Sequence, residues 1–335
     1  MTRQDDLRHM AHALRLARRG LGNVWPNPAV GCVILQSGRV VGRGWTQPGG
    51  RPHAERMALD QAGTSARGAT AYVTLEPCAH HGRTPPCAEG LVAAGVARVV
   101  SAMTDPDPRV AGRGYQILRD SGITVTEGVR EAEARELQAG FLSRIQKGRP
   151  FVTLKLGTSF DGRIATASGE SQWITGPAAR LHVHAMRMAH DAVMVGGNTA
   201  HADRPSLNVR GLATPRQPAR VVLSSRPLPD LPPEGPMHGP LWQIDAPVED
   251  ALAQLAGRGI TRVFCEGGGL LAASLLRARL VDQIVGYTAG VTLGSDGLPA
   301  IGPIQVMHLA DAPRFRLVET RPIGSDLFHR WLRVG

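Results

Sequence analysis

One short stretch, Lys147-Gly148-Arg149-Pro150, splits the chain into two runs in which helical and strand patterns alternate. Gly followed closely by Pro stops the charged amphipathic helix expected over Glu131 to Ile145, and an apolar run, Phe151-Val152-Thr153-Leu154-Lys155-Leu156, begins at once. Alternating helices and strands imply sheets covered by helices, and 335 residues are about twice one domain, enough for two separate cores. The expectation is two α/β domains, residues 1–147 and 151–335.

In the first half, Leu7, Met10, Ala11 and Leu14 lie at helical spacing in a segment running from Asp5 to Leu21. A hairpin follows, with strands over 29–35 and 40–45 around Gln36-Ser37-Gly38. Then come a helix from His53 to Ala62, a strand from Ala71 to Leu75, a helix from Cys87 to Ala94 and a strand from Arg98 to Met103. The second half reads as a helix over Pro177 to Met188, strands over Ala192 to Val195 and Arg220 to Ser224, and a helix over Val248 to Ala256. The strand Arg262 to Cys265, a turn at Gly267-Gly268-Gly269, a helix over Leu270 to Leu276 and the strand Gln283 to Tyr287 complete it. No internal repeat relates the halves.

With 42% hydrophobic and 20% charged residues the composition is that of a folded globular chain. No apolar run is long enough for a membrane helix and the charged N-terminus lacks a signal-peptide core, so a cytoplasmic protein is expected. The formal charge of +10 is spread along the chain and aromatic residues are only 4%, which argues against a nucleic-acid surface and leaves phosphorylated small molecules or no specific partner at all. Four cysteines in a chain this long do not make a disulfide framework; two of them, clustered, point to a metal.

His53-Ala54-Glu55 opens a predicted helix, and Pro77-Cys78 and Cys87 stand where a strand hands over to another helix. One imidazole and two thiolates suit zinc, and a catalytic zinc keeps its fourth position for a water whose pKa it brings to about 7. In nucleobase deaminases a Glu two residues after the His carries protons from that water to the ring and the leaving amine, within the pattern H-x-E with P-C-x-x-C. Glu55 fits this role. Eight residues separate Cys78 from Cys87, however, in place of two. A purely structural site would need a fourth ligand, for which His80 and His81 are the candidates.

At these motifs the chain resembles the bifunctional diaminohydroxyphosphoribosylaminopyrimidine deaminase / 5-amino-6-(5-phosphoribosylamino)uracil reductases of riboflavin biosynthesis. Matching stretches are Pro26-Asn27-Pro28-Ala29-Val30-Gly31-Cys32, His53-Ala54-Glu55, and Glu76-Pro77-Cys78 through Pro85-Pro86-Cys87, long insert included. The resemblance implies a cytidine-deaminase-like α/β/α layer domain with zinc on His53, Cys78 and Cys87. Within the insert Arg83 suits a phosphorylated pyrimidine, and Asn27 either contacts substrate or serves its turn alone.

The resemblance extends through Lys155 to Ala165 and Ser168 to Ile174, and implies a dihydrofolate-reductase-like second domain that uses NADPH. By matching position, Gly157, Trp173, Thr199, Asp203, Ser224, Gly267, Gly268, Gly269 and Leu270 belong to the cofactor. Ser171, Arg187, Leu207, Arg210 and Glu266 belong to the substrate, and Lys155 to the reaction. Glycines at a strand-to-helix turn let a pyrophosphate approach backbone N–H groups, although this is no G-x-G-x-x-G fingerprint. Ser224, Ser225 and Arg226 either meet a 2′-phosphate or form an ordinary turn. The Pro-rich passage between Arg226 and Val248 carries no assignment.

The implied function is hydrolytic deamination of 2,5-diamino-6-(5-phosphoribosylamino)pyrimidin-4(3H)-one, then reduction of the product's ribosyl group to ribityl, by a homo-oligomer. A rival reading is a tRNA adenosine deaminase with an accessory binding domain, which predicts a localised basic patch and no cofactor site. A second is a catalytically inactive scaffold, which intact His53, Glu55, Cys78 and Cys87 oppose.

Overall fold

The structure, a computed structural model, describes residues 2–81, 85–107 and 111–334. The chain divides into two compact units, Met1–Gly148 and Arg149–Gly335.

The first unit runs α1 (Arg3–Ala17), β1 (Gly31–Gln36), β2 (Arg39–Trp45), α2 (Ala54–Ala62), β3 (Thr70–Val73), α3 (Cys87–Ala93) and β4 (Arg98–Ser101). It continues with α4 (Arg113–Asp120), β5 (Thr124–Thr126), α5 (Glu131–Leu137) and α6 (Ala139–Lys147). Its five strands lie in the order β2-β1-β3-β4-β5. β1 is antiparallel to β2 and β3, whereas β3, β4 and β5 run parallel. The hairpin turns on Ser37 and Gly38, with φ of 49° and 77°, the two positive values that a tight turn matched to strand twist requires.

Helix α2 sits directly on β2, because Gly42 and Gly44 present no side chain toward it. A Cβ on either would stand 2.1 Å from the carbonyl oxygen of Ala58 or Ala54. That contact fixes the helix start at His53. Helix α1 begins earlier than expected, since Thr2 and Asp5 form a reciprocal capping box. The helix expected over Glu131 to Ile145 is two helices broken at Gln138, whose buried side chain donates 2.7 Å to the carbonyl oxygen of Ala29.

The second unit holds β6 (Phe151–Thr158), β7 (Arg163–Ala165), α7 (Pro177–Met188), β8 (Ala192–Gly196), α8 (Gly197–Asp203), β9 (Ala219–Leu223), β10 (Leu241–Ile244) and α9 (Val248–Gly257). After these come β11 (Arg262–Cys265), α10 (Gly269–Arg277), β12 (Gln283–Thr288), β13 (Leu298–Pro299), β14 (Phe315–Ile323) and β15 (Asp326–Arg333). The main sheet has eight strands in the order β10-β9-β8-β11-β6-β12-β15-β14, parallel from β10 to β12 and then closed by an antiparallel hairpin. This is the α/β arrangement that the resemblance to dihydrofolate reductases implies. Cys265, the last residue of β11, pairs with Leu154 of β6 on one side and Met194 of β8 on the other, and both neighbours run on past it. Ligands of open α/β sheets gather at that carboxyl edge.

The Pro-rich passage is anchored from beneath. Arg220 is 1% exposed and donates to the carbonyl oxygens of Gly239 and Pro232 at 2.9 and 2.6 Å, while Asn208 donates to that of Met237 at 3.0 Å. Among the described residues no helix is long and apolar enough to cross a membrane.

Candidate functional site

In the first unit His53 is the residue immediately before α2, Glu55 lies in that helix's first turn, and Cys87 opens α3. The Cys87 and Cys78 sulfurs lie 3.3 and 3.7 Å from His53 Nδ1. Tetrahedral zinc with Zn–S of about 2.3 Å and Zn–N of about 2.0–2.1 Å separates its ligands by roughly 3.6 Å. The cluster therefore fits zinc as it stands. Among the described residues only these three side chains come together in this way, their ligand atoms within 4.8 Å of one another. His81 turns to Glu89 at 3.3 Å and His80 is exposed, so neither completes a closed structural site.

The Cys87 thiol, the Cys87 backbone N–H at 3.3 Å and His53 hold Cys78 down to about 4. Cys87 itself is pushed well up, because the charge beside it is already taken by Cys78. Zinc binds both as thiolates. Burial pushes Glu55 up to about 7, with the Cys78 thiolate adding to it. Glu55 is 3% exposed and in hydrogen-bonding contact with Cys87, which places its carboxyl beside the ligand cluster and outside it.

Asn27 packs against the segment leading to His53, so closely that a Cβ on Gly50 would stand 1.9 Å from its amide nitrogen. Arg83 lies outside the described residues. Sequence reasoning passed over Glu76, which is 3% exposed and accepts backbone N–H bonds from Asp105, Gly112 and Gly114 at 3.2, 3.0 and 2.9 Å. It ties the chain after β4 to the Pro77-Cys78 corner. An acidic residue ending the apolar run Ala71 to Leu75 was the signal available.

In the second unit one cleft of about 1770 Å³ lies at the carboxyl edge of the sheet, well above the roughly 300–1000 Å³ of an ordinary small-ligand pocket. Every candidate residue of this half lines it. At one end α8 and α10 start side by side, joined where the Gly268 N–H donates 3.2 Å to Thr199 Oγ1. Gly267, Gly269, Leu270 and Asp203 border the same region. A side chain on Gly197 would strike Ser224 Oγ at 2.6 Å. Ser224 closes a short turn onto Arg226, and the Arg226 guanidinium reaches Asn198 at 2.6 Å, so the turn is formed and both residues border the cleft. Two clustered helix starts with glycines fit a pyrophosphate.

At the other end stand Lys155, within β6, and Glu266, the residue just past the neighbouring strand β11. The Glu266 carboxylate is gripped by Arg187 through Nε at 2.5 Å and Nη2 at 3.0 Å, while Nη1 donates to the Asn208 carbonyl oxygen at 2.8 Å. The fork of Arg187, which the resemblance assigns to the substrate, is thus aimed at Glu266 on the cleft wall. Despite burial, which works the other way, Arg187 and Lys155 hold Glu266 below the ordinary carboxylate range. Burial lowers Lys155, with nearby Arg187 adding to it. Gly157 leaves room for its ammonium, since a Cβ there would stand 3.0 Å from Lys155 Nζ.

Trp173 is 66% exposed, with the Arg180 guanidinium 4.5 Å over its ring, and Ser171 stands two residues before it. Leu207, with φ of 51°, turns its side chain into the core beside Val193 and Val195, so only its backbone is left to meet a ligand.

The profile of the cytidine and deoxycytidylate deaminase zinc-binding region matches residues 3–103, and that of the RibD C-terminal domain matches residues 150–329. The riboflavin biosynthesis proteins RibD of Haemophilus influenzae and Escherichia coli are each 43% identical, over 96% of this chain and 96% of the first, and 97% of this chain and 98% of the second. Acinetobacter baumannii RibD superposes with a TM-score of 0.90 at 40% identity, covering 100% of both chains. The diaminohydroxyphosphoribosylaminopyrimidine deaminase / 5-amino-6-(5-phosphoribosylamino)uracil reductase of Thermotoga maritima does so at 0.88 and 34%, again over 100% of both. These matches take in both halves and do not favour a tRNA deaminase with an accessory domain. The chain belongs to the RibD family and is a bifunctional enzyme of riboflavin biosynthesis, joining a zinc-binding deaminase to a reductase.

Proposed function

We propose that residues 1–147 carry the deamination and residues 151–335 the reduction, through the side chains that the two sites collect. The observation that carries the reading is one chain holding both a zinc-sized His-Cys-Cys triangle beside a buried glutamate and a cleft large enough for a dinucleotide with a second ligand.

In the first site His53, Cys78 and Cys87 hold zinc, which when bound lowers the pKa of a water to about 7. Glu55 takes a proton from the attacking water and returns protons to the ring nitrogen and the departing amine, so that C–NH₂ and water become C=O and ammonia. Its raised affinity for a proton suits both directions of transfer. Asn27 and Arg83 bind the phosphorylated pyrimidine, and Glu76 holds the wall beside Cys78.

In the second site NADPH supplies the hydride. Gly157, Trp173, Thr199, Asp203, Ser224, Gly267, Gly268, Gly269 and Leu270, all lining the cleft, would hold it. Opening of the substrate ribose would expose an imine at its first carbon, where a hydride on carbon and a proton on nitrogen would give the ribityl chain. Lys155 steadies the sugar oxygens, and Glu266, set by Arg187, orients the pyrimidine edge. Ser171, the Leu207 backbone and Arg210 complete the substrate's surroundings. The partner is this small phosphorylated pyrimidine, not nucleic acid or a membrane, and the protein works as a cytoplasmic homo-oligomer.

Purified protein mixed with the diaminopyrimidinone ribosylamino phosphate should release ammonia and then consume NADPH stoichiometrically. Ammonia without NADPH loss would overturn the assignment of the second site, and absence of both would overturn the whole reading.

A further inference from the structure

Glu266 is set by Arg187, and what sets Arg187 lies behind the cleft wall. Two sides of the guanidinium are spent on the Glu266 carboxylate, and the third, Nη1, donates to the Asn208 carbonyl oxygen at 2.8 Å. The chain turns sharply just before that carbonyl. Leu207 has φ of 51°, a left-handed conformation that a bulky residue rarely adopts and that persists only where its surroundings fix it. On one side the Leu207 side chain is sunk in the core. On the other, Gln217 accepts from the Val209 N–H at 2.8 Å and donates to the Val209 carbonyl oxygen at 3.1 Å. Between them Asn208 is 3% exposed and donates through Nδ2 to the Met237 carbonyl oxygen at 3.0 Å. Its Oδ1 has no partner among the described residues, so the bond to Met237 is what this side chain contributes.

Met237 belongs to the Pro-rich passage, and the passage is pinned to the start of β9. The Arg220 side chain holds the carbonyl oxygens of Pro232 and Gly239, and its N–H donates to that of Pro240 at 2.7 Å. Gly239 lies so flat on Pro218 that a Cβ there would stand 2.1 Å from the Pro218 carbonyl oxygen. The passage is therefore a fixed backstop for Asn208. From this chain of contacts we propose that Asn208 is a positioning residue of the reductase: tied to the Pro-rich passage, it fixes the carbonyl that orients Arg187 and, through Arg187, Glu266. The proposal rests on reading this cleft as the reductase site. Asn208, Arg220 and Met237 do not line the cleft, so they act on the reaction without touching a ligand. A guanidinium paired with a carboxylate alone can pivot about it, whereas a third acceptor fixes its plane. Once the tie to Met237 is lost, the turn at Leu207 relaxes, the Asn208 carbonyl leaves Nη1, and Arg187 keeps its partner but not its orientation.

The test is Asn208→Ala in the full chain, which removes the tie and keeps every cleft-lining side chain. Reductase kcat on pre-deaminated substrate should fall about five- to thirty-fold, the range one buried hydrogen bond can carry into a rate. KM for NADPH should stay within about twofold, since the cofactor end of the cleft is untouched. Arg220→Met, which slackens the passage from beneath, should repeat the pattern. The acid limb of the kcat profile should move to higher pH in Asn208→Ala, because Glu266 loses part of what holds it below the ordinary carboxylate range. Around that carboxylate stand Arg187 and His184 on α7, His190 just past α7, Lys155 on β6 and Tyr287 on β12, and of these the variant disturbs Arg187. In an Arg187→Lys background there is no fork left to orient, so adding Asn208→Ala should cost less than about twofold more. Wild-type kcat in Asn208→Ala, an unmoved acid limb, or the full loss repeated in the Arg187→Lys background would each overturn the proposal. So would a KM for NADPH that rises in step with the fall in kcat, the mark of a generally loosened unit. A wild-type chain that oxidises no NADPH would instead strike at the reading of the cleft itself.

Discussion

Two buried carboxylates carry opposite pH signatures. Glu55 binds its proton more tightly folded than unfolded, rising from 4.5 to about 7, so without zinc it costs stability as pH climbs through that window. Glu55→Gln should therefore raise the melting temperature of metal-free protein at pH 8 and leave it nearly unchanged at pH 4. With zinc bound, the same variant should keep the metal, lose deamination at least 100-fold and still reduce pre-deaminated substrate. Glu266 is depressed by Arg187, so its contribution is complete above about 4.5 and fades as pH falls below that value. Arg187→Met leaves that carboxylate buried without its partner, which costs about 3–5 kcal/mol. Urea unfolding at pH 7 should show the loss, together with the loss of reductase turnover. The His53-Cys78-Cys87 cluster with Glu55 beside it was legible as a candidate because metal and proton chemistry demand particular residue types at particular spacings. The orientation of Arg187 was not, because its partner Glu266 is 79 positions away and no local pattern links them.

The site-bearing elements obey rules that a sequence can display, whereas the elements that hold them depend on contacts it does not. Helix α7 and strand β11 coincide with the stretches the sequence marks, since α7 opens at Gly176-Pro177 and the short apolar run of β11 leads into Gly267. Helix α6 separates from α5 only because Gln138 bonds the distant Ala29 carbonyl, and the closing pair β14 and β15 has many exposed residues and so little alternation to detect. The seat of α2 on β2 yields a sharp expectation. Gly44→Ala forces a methyl against the Ala54 carbonyl, and overpacking of this kind costs about 1–3 kcal/mol or more. Because the displaced turn carries His53 and Glu55, zinc content by elemental analysis should fall below stoichiometric along with the melting temperature. Gly38→Val, at the positive φ of the hairpin turn, should destabilise the unit without lowering zinc content in the protein that remains folded.

Across the whole molecule, two sheets with separate cores mean that the two chemistries are supported by separate stabilities. Calorimetry should resolve two transitions, one lowered by a zinc chelator and the other raised by NADPH, each ligand leaving the second transition in place. A single transition moved by both would show that the units unfold together. The two units meet at Lys147-Gly148-Arg149-Pro150, where helix-stopping residues coincide with the start of a new strand and leave a local signal in the sequence. The bond from the Gly268 amide to the Thr199 hydroxyl has a thermodynamic consequence. It joins the starts of α8 and α10 before any dinucleotide arrives, so the cradle is preorganised and little chain entropy remains to be lost on association. NADPH capture should then be enthalpy-driven with a small entropic penalty, and Thr199→Val, by freeing that junction, should show its cost chiefly as a faster cofactor off-rate.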